Sequence, residues 1–153
     1  EEHSAATWYY QISENYLCEP VQHYGFYLTP LQNFEKGKTV FYPHGYSNYF
    51  FHPTHPHELI IVSTENNKVS ILNCLSGEIV RTISKGKEYA FCNIDPVTGN
   101  YLFRNSYYVL ITNENGDELF RMRSEDASPY LANNILTCWA GAAINVEPYL
   151  KKP

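Results

Sequence analysis

Phe50-Phe51-His52-Pro53, Glu58-Leu59-Ile60-Ile61-Val62-Ser63-Thr64, Lys68-Val69-Ser70-Ile71-Leu72 and Ser76-Gly77-Glu78-Ile79-Val80-Arg81-Thr82-Ile83 follow closely on one another in the middle of the chain. The run from Leu59 to Val62 is short, β-branched and bounded by polar residues, as in a strand buried on both faces. Glu65-Asn66-Asn67 comes next. Asn tolerates positive φ and bonds its own backbone, so the pair predicts a hairpin turn. Val69, Ile71 and Leu72 then supply a second strand, and Leu75-Ser76-Gly77-Glu78 a second turn. Ile79, Val80, Thr82 and Ile83 supply a third strand, closed by Ser84-Lys85-Gly86-Lys87. The connections are too short for crossover helices, so the stretch reads as an antiparallel meander. Leu59, Ile61, Val69, Ile71, Ile79 and Ile83 are its expected core.

The same pattern extends outward. Toward the N-terminus, Trp8 to Ile12 and His23 to Leu28 read as strands, with Glu19-Pro20 breaking the pattern between them. Phe34-Glu35-Lys36-Gly37-Lys38 predicts a hairpin leading to Thr39-Val40-Phe41-Tyr42. Toward the C-terminus, Tyr89 to Ile94, Tyr101 to Phe103 and Tyr107 to Thr112 are further strands. Asn115-Gly116 predicts a hairpin with positive φ at both residues. Glu118 to Met122 follows. Gly37, Gly77 and Gly116 stand 40 and 39 residues apart, each ahead of a short apolar strand. A fixed period of about 40 residues with several strands per period marks a repeat architecture. One domain, 1–153, is therefore expected, with repeats near 8–47, 48–87 and 88–126. Residues 127–153 read as a cap or partial repeat, formed by a short helix or by the first strands of another unit.

Phe51-His52-Pro53, Leu59 to Ser63, Val69-Ser70-Ile71-Leu72-Asn73 and Ser76-Gly77-Glu78 together resemble one WD-type repeat of a β-propeller. The likeness spans about one repeat and is weaker elsewhere. Leu72-Asn73 stands where that family usually has Trp-Asp, and Gly86-Lys87 where it has Gly-His, so the buried hydrogen-bond network of those residues is absent or altered. The resemblance implies an all-β, small or partial propeller. A β-sandwich of hairpins is the alternative that strands with turns every 8–12 residues would also suit. Propellers typically close with 4–8 blades. Three repeats and a remnant leave blade faces and strand edges uncovered. The reading therefore expects a protein partner, a second copy or further chain to complete the unit, or a compact four-unit closure.

Composition narrows the function. The 153 residues carry a net charge of −5, which argues against nucleic acid or an anionic membrane as main partner. No stretch approaches the ~20 apolar residues of a membrane helix. The chain opens on Glu-Glu-His without Met, as a mature or excised chain would. Cys18, Cys74, Cys92 and Cys138 are scattered with no Cys-x-x-Cys pair, so a zinc site of that type is not expected. They permit two disulfides in three pairings, or buried thiols in a reducing compartment. Asn-x-Ser/Thr is absent, which favours an intracellular or bacterial setting.

The chain holds 14 tyrosines, a residue with a large apolar body and a polar tip that suits half-buried strands and interfaces alike. Tyr107, Tyr108, Tyr130 and Trp139 are the expected partner-binding residues. The sharpest chemical constellation is His52, His55 and His57, with His44 nearby in sequence. Neutral imidazole is a common metal ligand. Pro53 and Pro56 interrupt the cluster, and Glu58, on a strand, would point away from it. A polar loop entering a repeat is the plainer reading, so no resident metal or cofactor is expected. No Gly-x-Ser-x-Gly elbow or phosphate-binding glycine loop is present. The sequence thus points to a non-catalytic interaction or scaffolding module. A metal-binding protein or enzyme built on His52, His55 and His57 is the alternative.

Overall fold

The computed structural model describes residues 10–21, 23–32, 38–45, 47–125, 128–138 and 141–152. They form four antiparallel sheets, each with its strands in chain order. The first holds β1 (Gln11–Ile12), β2 (Tyr16–Val21), β3 (Gly25–Pro30) and β4 (Val40–Tyr42). The second holds β5 (Ser47–Phe51), β6 (Glu58–Ser63), β7 (Val69–Asn73) and β8 (Ile79–Ile83). The third holds β9 (Ala90–Ile94), β10 (Tyr101–Arg104), β11 (Tyr108–Thr112) and β12 (Glu118–Arg123). The fourth has three strands, β13 (Tyr130–Ala132), β14 (Ile135–Thr137) and β15 (Ala143–Asn145), followed by a 3-10 turn, Glu147–Tyr149. Of the two forms expected for the tail, it takes the strands. No helix among the described residues is long and apolar enough to cross a membrane.

The chain divides into two compact units, Glu1–Glu65 with Val69–Thr82, and Asn66–Lys68 with Ile83–Pro153. In the first unit Tyr16, Cys18, Phe26 and Leu28 of the first sheet pack with Tyr49, Leu59, Ile61 and Leu72 of the second. In the second unit Leu102, Val109 and Ile111 of the third sheet pack with Leu131, Leu136 and Val146 of the fourth segment. Each core is thus made where two consecutive meanders meet.

β6 is buried along its whole apolar run from Leu59 to Val62, as a strand covered on both faces must be. Leu59, Ile61, Val69, Ile71 and Ile83 are buried as expected. Ile79 is not: it is 40% exposed. The reason is topological. β8 is the last strand of its sheet and has a neighbour on one side only, so a β-branched residue there serves the strand without entering the core.

Two further expectations are corrected. Glu19-Pro20 does not interrupt a strand but lies inside β2, opposite Tyr27 and Phe26. Among the described residues the pairing of β1 with β2 lies at Leu17 and Cys18; proline, which has no N–H, is tolerated in a strand where no ladder needs that donor. In Asn115-Gly116 only Gly116 has positive φ, 86°. The turn is built instead on Asn113, whose side-chain oxygen accepts the Asn115 and Asp117 amides, while the Gly116 amide donates to the Asn113 carbonyl. The ladder shifts register at Ile111 and Thr112, as in a three-residue hairpin closed by a glycine bulge.

Gly77, φ 75°, occupies the corresponding turn of the second sheet. Its amide donates to the Asn73 carbonyl, and Asn73 Oδ1 accepts the Leu75 and Ser76 amides. A Cβ on Gly77 would come within 2.8 Å of the Tyr42 hydroxyl. Gly37 lies outside the described residues, as do Trp8 and Tyr9.

The connection between the first two strands recurs in three sheets as one backbone device. Ser13 Oγ accepts the amides of Asn15 and Tyr16. His52 Nδ1 accepts those of Thr54 and His55. Asp95 Oδ1 accepts those of Val97 and Thr98. A short side-chain acceptor taking the amides two and three residues on is the usual way such a turn is satisfied. Asp95 goes further. It is fully buried, and its carboxylate also accepts the Asn133 and Asn134 amides at 2.8 and 2.9 Å. Those two residues form the two-residue turn between β13 and β14, with φ of 49° and 59°, the positive-φ pair that such a hairpin needs.

Candidate functional site: the β5–β6 loop and a tyrosine–arginine surface

The loop from β5 to β6 carries the histidines. The His52 amide donates to the Glu58 carbonyl at 3.0 Å, and the Glu58 amide to the His55 carbonyl at 3.1 Å. The segment between them is therefore a turn, not an extended strand, and residues three apart come together. This overturns the expected geometry. Glu58 does not point away: its Oε2 lies 2.8 Å from His55 Nδ1 and 3.0 Å from Arg81 Nη2 of β8. The His52 and His55 rings stack nearly parallel, 4.1 Å apart at 6°.

His52 is only 6% exposed. Its Nδ1 accepts the Thr54 amide at 3.2 Å and the His55 amide at 3.1 Å. A nitrogen that accepts carries no proton, so the neutral ring holds its proton on Nε2. Burial, helped by the neighbouring His55, pushes the His52 imidazole down to about 4, and Arg81 acts the same way while Glu58 opposes it.

His57 does not join the cluster. Its Nδ1 lies 2.8 Å from the Tyr16 hydroxyl, with the rings edge to face at 5.8 Å. His44 stacks on Phe26, and its carbonyl accepts the Tyr49 hydroxyl. The donor set brought together is His52, His55 and Glu58, with ligand atoms all within 4.8 Å of one another. Among the cysteines, burial pushes Cys18 and Cys74 up to about 12 and Cys92 to about 11, which makes these thiols poor nucleophiles.

The expected partner-binding tyrosines occupy the surface. Tyr107 is 59% exposed and Tyr130 50%. Trp139 lies outside the described residues. The Tyr107 and Tyr108 amides both donate to Asn105 Oδ1, at 2.8 and 2.7 Å, which fixes the backbone that carries them. Beside them is a group that no sequence motif announces. Arg121 of β12 stands 5.7 Å from the ring centres of both Tyr89 and Tyr108. Its Nη1 donates to the Tyr89 hydroxyl at 3.0 Å, and Nε and Nη2 donate to the two oxygens of Glu118 at 3.2 and 3.0 Å. That fork holds the Glu118 carboxyl below the usual carboxylate range. Strict alternation along β12 would set Glu118 and Arg121, three residues apart, on opposite faces, and the register shift between Ile111 and Thr112 breaks it; nothing local could have placed Tyr89.

No family model matches the sequence, and no curated protein matches it. Solved structures do. BamB from Moraxella catarrhalis is 17% identical with a TM-score of 0.58 over 83% of this chain and 38% of that one. The β-propeller domain of Myceliophteria thermophila Cps50 (Swd1) is 12% identical, TM-score 0.58, over 84% of this chain and 47% of that one. The computationally designed Ika4 protein is 11% identical, TM-score 0.61, over 94% of this chain and 92% of that one. The chain thus has a β-propeller-type fold, and its four sheets correspond to blades. It spans less than half the length of BamB or of the Swd1 propeller.

Proposed function

We propose that the chain is a non-catalytic protein-interaction module that acts within a larger assembly or oligomer. The observation that carries this reading is the Tyr89–Arg121–Tyr108 arrangement beside exposed Tyr107. Tyr and Arg are the residues in which interface binding energy concentrates. Here the arginine is already held in place by Glu118, so little side-chain freedom remains to be lost on binding. Tyr130 and Trp139 belong to the same reading as candidate contacts.

A photo-reactive phenylalanine at Tyr107, and separately at Tyr130, tests it in the native cell. The expected result is a discrete adduct that is absent when the probe sits at exposed Val97. A band at twice the 17.7 kDa chain mass identifies a second copy as the partner; a larger, different mass identifies another protein. Adducts at none of these positions, with a monomer in sedimentation, would refute the proposal.

The convergence of His52, His55 and Glu58 favours a second reading, a bound divalent metal. Two observations weigh against it. His52 Nδ1 already serves two backbone amides, and Arg81 already sits on the carboxylate a cation would need. The expectation is that zinc added at micromolar concentration leaves the histidine ring proton resonances unshifted. Saturable shifts at His52 and His55, lost in His55→Gln, would instead establish a metal centre.

A further inference from the structure

We infer that the β5–β6 loop is an acid-sensitive latch, held shut by the unprotonated Nδ1 of His52 and released when that nitrogen takes up a proton. Three blades fasten the loop between their first two strands with a side-chain acceptor at the same place. Ser13 and Asp95 are the acceptors in the first and third blades. A hydroxyl does not titrate in the physiological range, and an aspartate does so only in strong acid. Histidine is the one acceptor of this kind whose unperturbed proton equilibrium lies near neutrality.

The geometry makes protonation and the closed loop incompatible. With Nε2 already protonated, a second proton must go to Nδ1. That nitrogen faces the amide hydrogens of Thr54 and His55 and the Thr54 hydroxyl, all within hydrogen-bond reach at 3.1–3.2 Å. The hydroxyl can turn to accept, but the two amides cannot. Both would lose their acceptor and face a donor instead.

The surrounding charges do not offset this. His55 lies parallel over the ring at 4.1 Å, with its Nδ1 2.8 Å from Glu58 Oε2. Arg81 from β8 shares the same carboxylate oxygen. Among the described residues Glu58 is the anion facing the group, and its Oε2 is already shared by His55 and Arg81. Burial adds to the cost of the charged ring. The closed loop therefore keeps His52 neutral, and an open loop lets it ionise.

The sign follows from linkage. His52 titrates near 4 in the closed loop and near 6.5 when released. The open state binds more protons between those values, so the latch is fully effective above pH 6.5 and weakens as pH falls toward 4. The loop that opens, residues 52–57, also carries the Tyr16–His57 contact, so release exposes the end of β6 and the edge of the first unit's core.

Amide protection of Thr54 and His55, measured by hydrogen exchange and corrected for intrinsic rates, tests the inference on the whole chain. Between pH 7 and pH 4.5 the protection of these two amides is expected to fall at least ~10-fold, while that of Val97 and Thr98, on Asp95, stays constant. Imidazole ¹⁵N spectra should show unprotonated Nδ1 on His52 at pH 7. His52→Asn keeps an acceptor that cannot titrate, and should flatten the profile. His52→Asp, the residue of the third blade, should do so in case the amide is poorly seated. Constant protection in the wild type would overturn the latch. So would an equal fall in both variants, or a His52 ring that titrates near 6.5 with both amides still protected.

Discussion

Alanine at Asp95 is expected to destabilise the second unit by roughly 3–5 kcal/mol, since four backbone amides lose a charged acceptor, each such bond being worth ~1.5–3 kcal/mol before relaxation and solvent recover part of it. The amides are those of Val97, Thr98, Asn133 and Asn134. Water cannot simply replace the lost oxygens, because the residue is fully buried. Burial alone would push the Asp95 carboxyl up, but the amides of Asn134, Val97 and Asn133 outweigh it and hold the group below the ordinary value of 3.8. A folded-state value below the unfolded one means that the contribution is present in full above the unfolded value and is lost as pH falls through the folded one. Urea unfolding at pH 7, with Asp95→Asn alongside, provides the measurement. The amide variant keeps one oxygen and should lose less than alanine. A loss below about 1 kcal/mol for alanine would show that the two turns find other acceptors.

Ile61→Ala is expected to cost roughly 2–5 kcal/mol, the range for removing a large buried aliphatic side chain. Ile61 is 3% exposed and packs in the core that joins the first two blades, among Tyr16, Cys18, Phe26, Leu28 and Tyr49. The cavity would be walled by rings and by strands already paired on both sides, so it has little room to collapse. Ile79→Ala is the internal control. It removes the same atoms from an outer strand at a largely exposed site, where the change should stay within about 0.5 kcal/mol. Equal effects at the two positions in denaturant unfolding would mean that the assignment of inner and outer strands is wrong.

The contrast between these two isoleucines also marks what the sequence made legible. β-branched runs and turn residues located β6, β7 and β8 and the turns at Gly77 and Gly116. They could not say which strand of a meander would be left at the edge, because Ile79 and Ile61 satisfy strand geometry equally well. Pro20 misled for a related reason. Whether a proline breaks a strand depends on whether a neighbour needs its N–H, and that is a matter of pairing, not of local sequence. The histidine cluster was visible as a cluster, but its membership was not. Alternation along an extended chain groups His55 with His57, whereas the turn after Pro53 groups His52 and His55 with Glu58. Asp95 gave no signal beyond a turn residue. Half of its partners are 38 and 39 positions away, a distance over which no local pattern carries information. Arg121 is the same case, set against Tyr89 at a separation of 32 residues.

The seam between the third and fourth blades also decides how this chain can be cut and rejoined. Asn93 donates to the Leu131 carbonyl and accepts the Leu131 amide, Asp95 holds the next turn, and the Lys151 amide returns to the Leu119 carbonyl of β12. Deleting everything after Arg123 would leave a buried carboxylate facing solvent and the Leu119 carbonyl without the Lys151 amide. In a repeat protein the natural segment for exchange between relatives is usually taken to be one whole blade. Here that segment cannot start at β13 without its anchor four strands upstream, in and just after β9. Grafts and duplications of this chain have to carry Asn93 and Asp95 together with the tail that they grip.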